Sequence, residues 1–363
     1  MLGIPAQQNL PLAEDLRLFK TLSIGMTLAL KSTARLEVSM KILIAYDGSK
    51  CADAALDDLT HAGLPEKGEA LVMSVAEVWL PPPPPSSYEV VEMATSAKGP
   101  LGLERRYMAA SAAVTDANDM AAKAAERFHA LFPKWTVKHQ SVWGSPNWEL
   151  FSNAEQMQAD LIVAGSHGRT ALGRLFLGSI SQWLLNEARC SVRVARGKLD
   201  EPDFPVRLLL ALDGSRGSET ALEEIASRRW PEKSEVRVVM VDQPLELTYI
   251  GGMAPPLRES IDTLNEELRE RSLKVVKTAE LKLKSAGLSA MSDVLEGDPK
   301  TVLVQVAEEW RADCVFVGAT GLTSRFERFV LGTTAAAIAA RAHCSVEVVR
   351  KRRHGGKTNG NGN

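Results

Sequence analysis

At 363 residues the chain has room for roughly two ordinary domains, and a 45% hydrophobic, 24% charged content argues against a disordered or fibrous chain. A net charge of −2 gives no global attraction to nucleic acid, so no nucleic-acid partner is expected. The four cysteines, Cys51, Cys190, Cys314 and Cys344, have neither C-x-x-C spacing nor a neighbouring histidine cluster, which argues against a zinc site or a disulfide framework and for a reducing, cytoplasmic setting.

Residues 1–39 read as a separate stretch. Their longest apolar run, 22–30, is broken by Ser, Gly and Thr and is too short to span a bilayer. Glu14 and Asp15 precede it where a signal peptide carries basic residues. These residues are therefore expected to be a loosely attached extension, or translation from an upstream start, with the folded unit beginning at Met40. No membrane association is expected.

From Met40 the chain reads strand, helix, strand, helix through five strands, and then does so again. Aliphatic or β-branched runs predict strands near 42–46, 70–78, 137–142, 161–164 and 192–195, then near 208–212, 236–241, 290–295, 314–317 and 346–349. Such runs, separated by helical patterns, predict parallel sheets covered on both faces. Residues 257–286 alternate apolar positions with Glu, Arg and Lys at helical spacing, the pattern of one long amphipathic helix. The expected divisions are a first domain at 40–197, a linker at 198–205, a second domain at 206–350 and a disordered tail at 351–363.

The two sets of strands belong to an internal repeat. ILIAYDGSKCADAALDDL from Ile42 matches LLLALDGSRGSETALEEI from Leu208, an offset of 166. Further on, Gly144-Ser145-Pro146 matches Gly297-Asp298-Pro299 and Gly165-x-x-Gly168 matches Gly318-x-x-Gly321, at an offset of 153. The shortfall places 13 extra residues in the first copy between its second and third strands, where Pro81 to Pro85 are expected to form an extended, exposed polyproline stretch.

Each fourth strand runs into a glycine loop and then a helix start. In the first copy Gly165-x-x-Gly168 is followed, nine residues later, by Gly178-Ser179. Free backbone N–H groups and about half a positive charge at the helix N-terminus suit an anion such as phosphate. Asp47 and Asp213 end the first strands, where they read equally as turn or capping residues and as ligands. On parallel sheets ligands bind beyond the strand carboxyl ends, where the strand order reverses. No G-x-S-x-G surrounds Ser166, and no G-x-G-x-x-G follows a first strand, which argues against a hydrolase nucleophile and a dinucleotide dehydrogenase.

Strand-Asp-Gly-Ser, Gly-x-Pro after the third strand, and G-x2-G-x9-G-S after the fourth make the chain resemble a tandem universal stress protein. The resemblance covers 40 to about 350. It implies two doubly wound five-stranded parallel sheets of order 3-2-1-4-5, adenine nucleotide alpha hydrolase-like, and binding of ATP with Mg or Mn. A regulatory, stress-response role without efficient turnover is implied. The alternative reading is an interaction module of the same fold that binds no nucleotide.

Carried over, Ala45, Asp47 and Val75 would meet the ribose and adenine, and Gly165, His167, Gly168, Gly178, Ser179 and Ser181 the phosphates. A weaker second site would use Ala211, Asp213, Val241, Gly318, Gly321, Gly332, Thr333 and Thr334. There the glycine spacing is one residue longer, with Ser324 the candidate insertion, and Ala335 replaces Ser181. The extra residue either bulges the loop or rotates the helix start away from the phosphate. No protein side chains are expected to hold the metal alone. The fifth strands are expected to pair antiparallel as an internal pseudo-dimer, helped by an exposed Arg193–Glu347 pair; homodimers are also compatible with the fold.

Overall fold

The computed structural model describes residues 40–78, 101–167, 177–196, 205–245, 255–321 and 331–351. Expectations for 1–39, for Pro81 to Pro85, for Gly168, for Ser324, for most of the linker and for nearly all of the tail lie outside these residues. From Met40 onward the chain forms one compact unit.

The first half contains β1 (Met40–Ala45), α1 (Lys50–Asp58), β2 (Gly68–Ala76), α2 (Leu101–Leu131), β3 (Thr136–Trp143), α3 (Pro146–Met157), β4 (Leu161–Gly165), α4 (Ser179–Glu187) and β5 (Ser191–Ala195). The second repeats it as β6 (Arg207–Leu212), α5 (Arg216–Ser227), β7 (Glu235–Asp242), α6 (Pro255–Ser285), β8 (Ser289–Glu296), α7 (Pro299–Glu309), β9 (Cys314–Gly318), α8 (Thr333–Arg341) and β10 (Ser345–Val349). All ten strands fall within two residues of the hydrophobic runs that announce them. No helix among the described residues is long and apolar enough to cross a membrane.

Within each half the strands are parallel and ordered 3-2-1-4-5, and the two five-stranded sheets merge edge to edge into one of ten strands, β3-β2-β1-β4-β5-β10-β9-β6-β7-β8. The junction is antiparallel, with Val194 opposite Val346, Arg193 opposite Glu347 and Val192 opposite Val348. Neither fifth strand is left as an open edge. Residues of a strand alternate between faces. Val192, Val194, Val346 and Val348 thus join one core that runs unbroken across both halves beneath α3, α4, α7 and α8. On the other face there are two separate cores, one per half.

Arg193 and Glu347 point to that other face, where the two cores meet. The expected exposed pair is in fact fully buried, both residues being 0% exposed. The alternation that turns the valines inward turns this pair into the gap between the cores, and α1 and α5 cover it. Arg193 Nε donates to Asp58 Oδ2 at 2.6 Å, and its Nη1 to Glu347 Oε2 at 3.1 Å and to Cys314 Sγ at 3.3 Å. Arg228 grips Glu347 from the second half with both terminal nitrogens, and donates to Glu224 and to the Ala62 carbonyl, the latter at 2.9 Å. Ser345 Oγ donates to Asp58 Oδ1 at 2.7 Å. Burial alone would push the Arg193 guanidinium down, but Asp58, Cys314 and Glu347 outweigh it and hold it well above the usual range.

Two arginines extend the junction reciprocally. Arg196 Nη2, beyond β5, donates to the Ala339 carbonyl at 2.5 Å near the end of α8, and Arg350 Nη2, beyond β10, donates to the Leu185 carbonyl near the end of α4. Each half thus holds the C-terminus of a helix that belongs to the other. Because a buried charge stripped of its partner is costly, Arg193→Leu is expected to destabilise the protein by about 3–5 kcal/mol in urea unfolding. A loss below about 1 kcal/mol would show that the network contributes little.

Candidate functional site

Reversal of strand order on either side of β1 and β4 leaves a crevice at their carboxyl ends. In the first half a cavity of about 500 Å³ opens there. It brings together Ala45, Asp47, Val75, Gly165, His167, Gly178, Ser179 and Ser181, every expected residue except Gly168, which is not described. The equivalent cavity of the second half measures about 300 Å³ and gathers Ala211, Asp213, Val241, Gly318, Gly321, Gly332, Thr333 and Thr334.

Local chemistry builds each wall. Gly48, at φ +74°, adopts a left-handed turn that suits glycine, and Asp47 Oδ1 accepts from Ser49 N at 3.0 Å across it. Ser49 then caps α1, its Oγ accepting from Ala52 N at 3.1 Å. Asp213, Ser215 and Ser218 repeat this arrangement. The first-strand aspartate is therefore a turn-former in both halves as well as a cavity-lining carboxylate.

Gly165 has a reason of its own to be glycine. A Cβ there would stand 2.9 Å from the carbonyl carbon and oxygen of Cys51, and one at Gly318 would stand 2.4 Å from the Gly217 carbonyl carbon. The end of the fourth strand touches the backbone of the first helix in both halves. Ser181 Oγ donates to the Gly165 carbonyl at 2.6 Å, so its proton is committed to the loop.

The one-residue difference between the glycine loops leaves the helix starts in place. Gly178 N donates to the Ser166 carbonyl at 2.8 Å, and Gly332 N to the Ala319 carbonyl at 2.7 Å. Both glycines are helix N-caps of nearly the same conformation, at φ −60°, ψ 147° and φ −61°, ψ 144°. Of the two outcomes open from sequence, a rotated helix start is not what the second half shows. Neither glycine supplies a side-chain acceptor to the first turn that follows it.

His167 stands on the first-half wall with Nδ1 3.0 Å from Ser166 Oγ. Its Nε2 is buried and has no hydrogen-bond partner among the described residues. Burial first, and the Arg196 charge second, push its pKa below the usual histidine value. Thr320 takes this place in the second half. Sequence reasoning missed the wall contributed by α2, including Ala113, Asp116, Ala117 and Met120, and the Glu77 carboxylate after β2. The alanines carry a helical spacing, but nothing separates it from ordinary core packing. Among the described lining residues there are three carboxylates, Asp47, Glu77 and Asp116, and no Lys or Arg. No group of three or more metal-ligating side chains occurs among the described residues.

Fold and crevices together define a duplicated, doubly wound α/β protein with one crevice in each half. The chain belongs to the universal stress protein family, whose model matches it twice, over residues 39–196 and 206–350. A universal stress protein of Methanocaldococcus jannaschii is 28% identical over 145 residues, 40% of this chain and 82% of its own length. One of Mycolicibacterium smegmatis is 31% identical over 196 residues, 53% of this chain and 63% of its own. A crystal structure of a universal stress protein from Archaeoglobus fulgidus shares the fold, with a TM-score of 0.56 at 18% identity over 86% of this chain and 99% of that one.

Two outcomes test this geometry. Gly165→Ala forces the Cys51 backbone to move and is expected to cost about 1–3 kcal/mol of folding stability in chemical denaturation, whatever it does to ligands; unchanged stability would contradict the contact. His167 favours the neutral ring in the fold, so its contribution to stability is complete above about pH 6.5 and is lost as the pH falls below that value. Its ring should titrate below about 6.5 by NMR, and a midpoint at or above that value would contradict its burial.

Proposed function

We propose that this universal stress protein binds ATP with Mg or Mn in its first half and acts as a stress-response regulatory module, without efficient turnover. The observation that carries the reading is the orphaned, buried His167 Nε2 on the wall of a 500 Å³ cavity, on whose rim α4 begins with no side-chain cap. A phosphate oxygen supplies what that end of the cavity lacks. Backbone N–H groups of the first turn of α4 can donate to it, with the positive end of the helix dipole behind them.

In this reading Ala45 and Val75 flank the base, Asp47 meets the ribose, and Gly165, His167, Gly168, Gly178, Ser179 and Ser181 surround the phosphates. Ser181 acts through the Gly165 carbonyl by fixing the loop. The three lining carboxylates, Asp47, Glu77 and Asp116, disfavour a bare polyphosphate and favour a ligand that brings its own divalent cation. When bound, the cation supplies charge neutralisation on the phosphates. The protein contributes orientation and hydrogen-bond donors.

Isothermal titration of the full chain with MgATP tests the proposal. Binding is expected, and Gly178→Val should abolish it at the first site while leaving the circular dichroism spectrum unchanged. No heat and no retained nucleotide with the unmodified protein would leave the other reading, an interaction module of the same fold.

A further inference from the structure

The two cavities share their phosphate ends and differ at the opposite end. The glycine loops close with the same hydrogen bond, and Asp47, Val75, Pro146, Leu150, Gly165 and Gly178 have lining counterparts in Asp213, Val241, Pro299, Leu303, Gly318 and Gly332. What disappears is the long-helix wall. Four residues of α2 line the first cavity, and among the described residues none of α6 lines the second.

Matching the helices locates the cause. The buried stripe Ala117, Ala121, Ala124 and Phe128 of α2 has the same spacing as Ser272, Val276, Ala279 and Leu283 of α6, each of them buried. Ala117 therefore corresponds to Ser272. At the ends of the second strands, Ala76 corresponds to Asp242, since Gly144 N donates to the Ala76 carbonyl and Gly297 N to the Asp242 carbonyl, both at 3.0 Å. Two alanines that face the first cavity are thus replaced by a serine and an aspartate.

That serine and aspartate bond to each other. Ser272 Oγ donates to Asp242 Oδ1 at 2.7 Å, tying α6 to the end of β7 where the first half leaves open space. A second stitch lies two turns away: Asn265 pairs with both the N–H and the carbonyl of Leu245, at 2.9 and 3.2 Å, where the same register places Ala110 in α2. Ala164 in the first cavity floor is also replaced by the larger Val317.

We infer that the chain holds a single adenine nucleotide, because the Asp242–Ser272 bond closes the base end of the second cavity. The inference rests on the nucleotide reading of the first half and assigns to the second a phosphate cradle that has lost its base slot. Asp242 and Ser272 are specificity-determining residues.

Equilibrium dialysis of the full chain with radiolabelled MgATP tests this. One nucleotide per chain is expected for the unmodified protein, and two for Asp242→Ala with Ser272→Ala, which copies Ala76 and Ala117. In a Gly178→Val background the same pair should raise binding from none to one. Two nucleotides in the unmodified chain would overturn the inference and leave nucleotide binding standing. None in the unmodified chain but one after opening the second cavity would keep the inference on Asp242 and Ser272 and overturn the first-half reading. No gain on opening would overturn the inference. Should the opened variant fold poorly, the reciprocal graft, Ala76→Asp with Ala117→Ser, is expected to close the first cavity and take binding from one to none; retained binding would overturn the inference.

Discussion

A pair of opposite charges buried on the axis between the halves sets the organisation of the molecule. Arg193 and Glu347 face each other across the β5–β10 junction with no exposed surface, and charges that deep persist only when matched and hydrogen-bonded. Each requirement recruits another element: Asp58 from the end of α1, and Arg228 from the segment after α5, which in turn holds Glu224. The chain of alternating signs crosses the junction, so neither half satisfies it alone. Two first halves paired through β5 would set Arg193 against Arg193, and two second halves would set Glu347 against Glu347. Like charges in a dry interface cost several kcal/mol. The one arrangement without that cost is a first half against a second, and the continuous ten-stranded sheet follows from it.

Much of this was legible in the sequence because it depends on local pattern. Ten aliphatic runs, doubled motifs and a change of offset locate the strands and the halves, and the glycine spacing after strands four and nine marks the end of each cavity where a helix begins. What escaped is non-local. In ARCSVRVAR the charge at Arg193 alternates with valines as it would on a strand with one face in water, and only the cover provided by α1 and α5, far away in sequence, makes that position dry. The α2 wall escaped because Ala113 and Ala117 look like packing residues. The inserted residue of the second glycine loop was visible, but the position of the helix start after it was not, since the Gly332 to Ala319 hydrogen bond that fixes that start joins residues on either side of the insertion.

The halves also show how duplicated copies of a fold diverge. Their strand order, caps and turns repeat, down to the Asx turn after each first strand, while side-chain differences that change chemistry are found at the junction and at the ends of the cavities away from the glycine loops. Both are places where one side chain meets residues contributed by another element, so that one or two substitutions change what the surface accepts without disturbing the backbone that presents it.

The crowding at Gly165 and Gly318 bears on how such sequences are recognised. A Cβ at either position collides with the backbone of the first helix, so folding alone demands glycine there, ligand or no ligand. A descendant that stopped binding anything in its crevice would still be obliged to keep this half of its signature. The glycine that ends the fourth strand is therefore a marker of ancestry and architecture, and evidence of a working pocket has to be sought in side chains that the fold does not itself require.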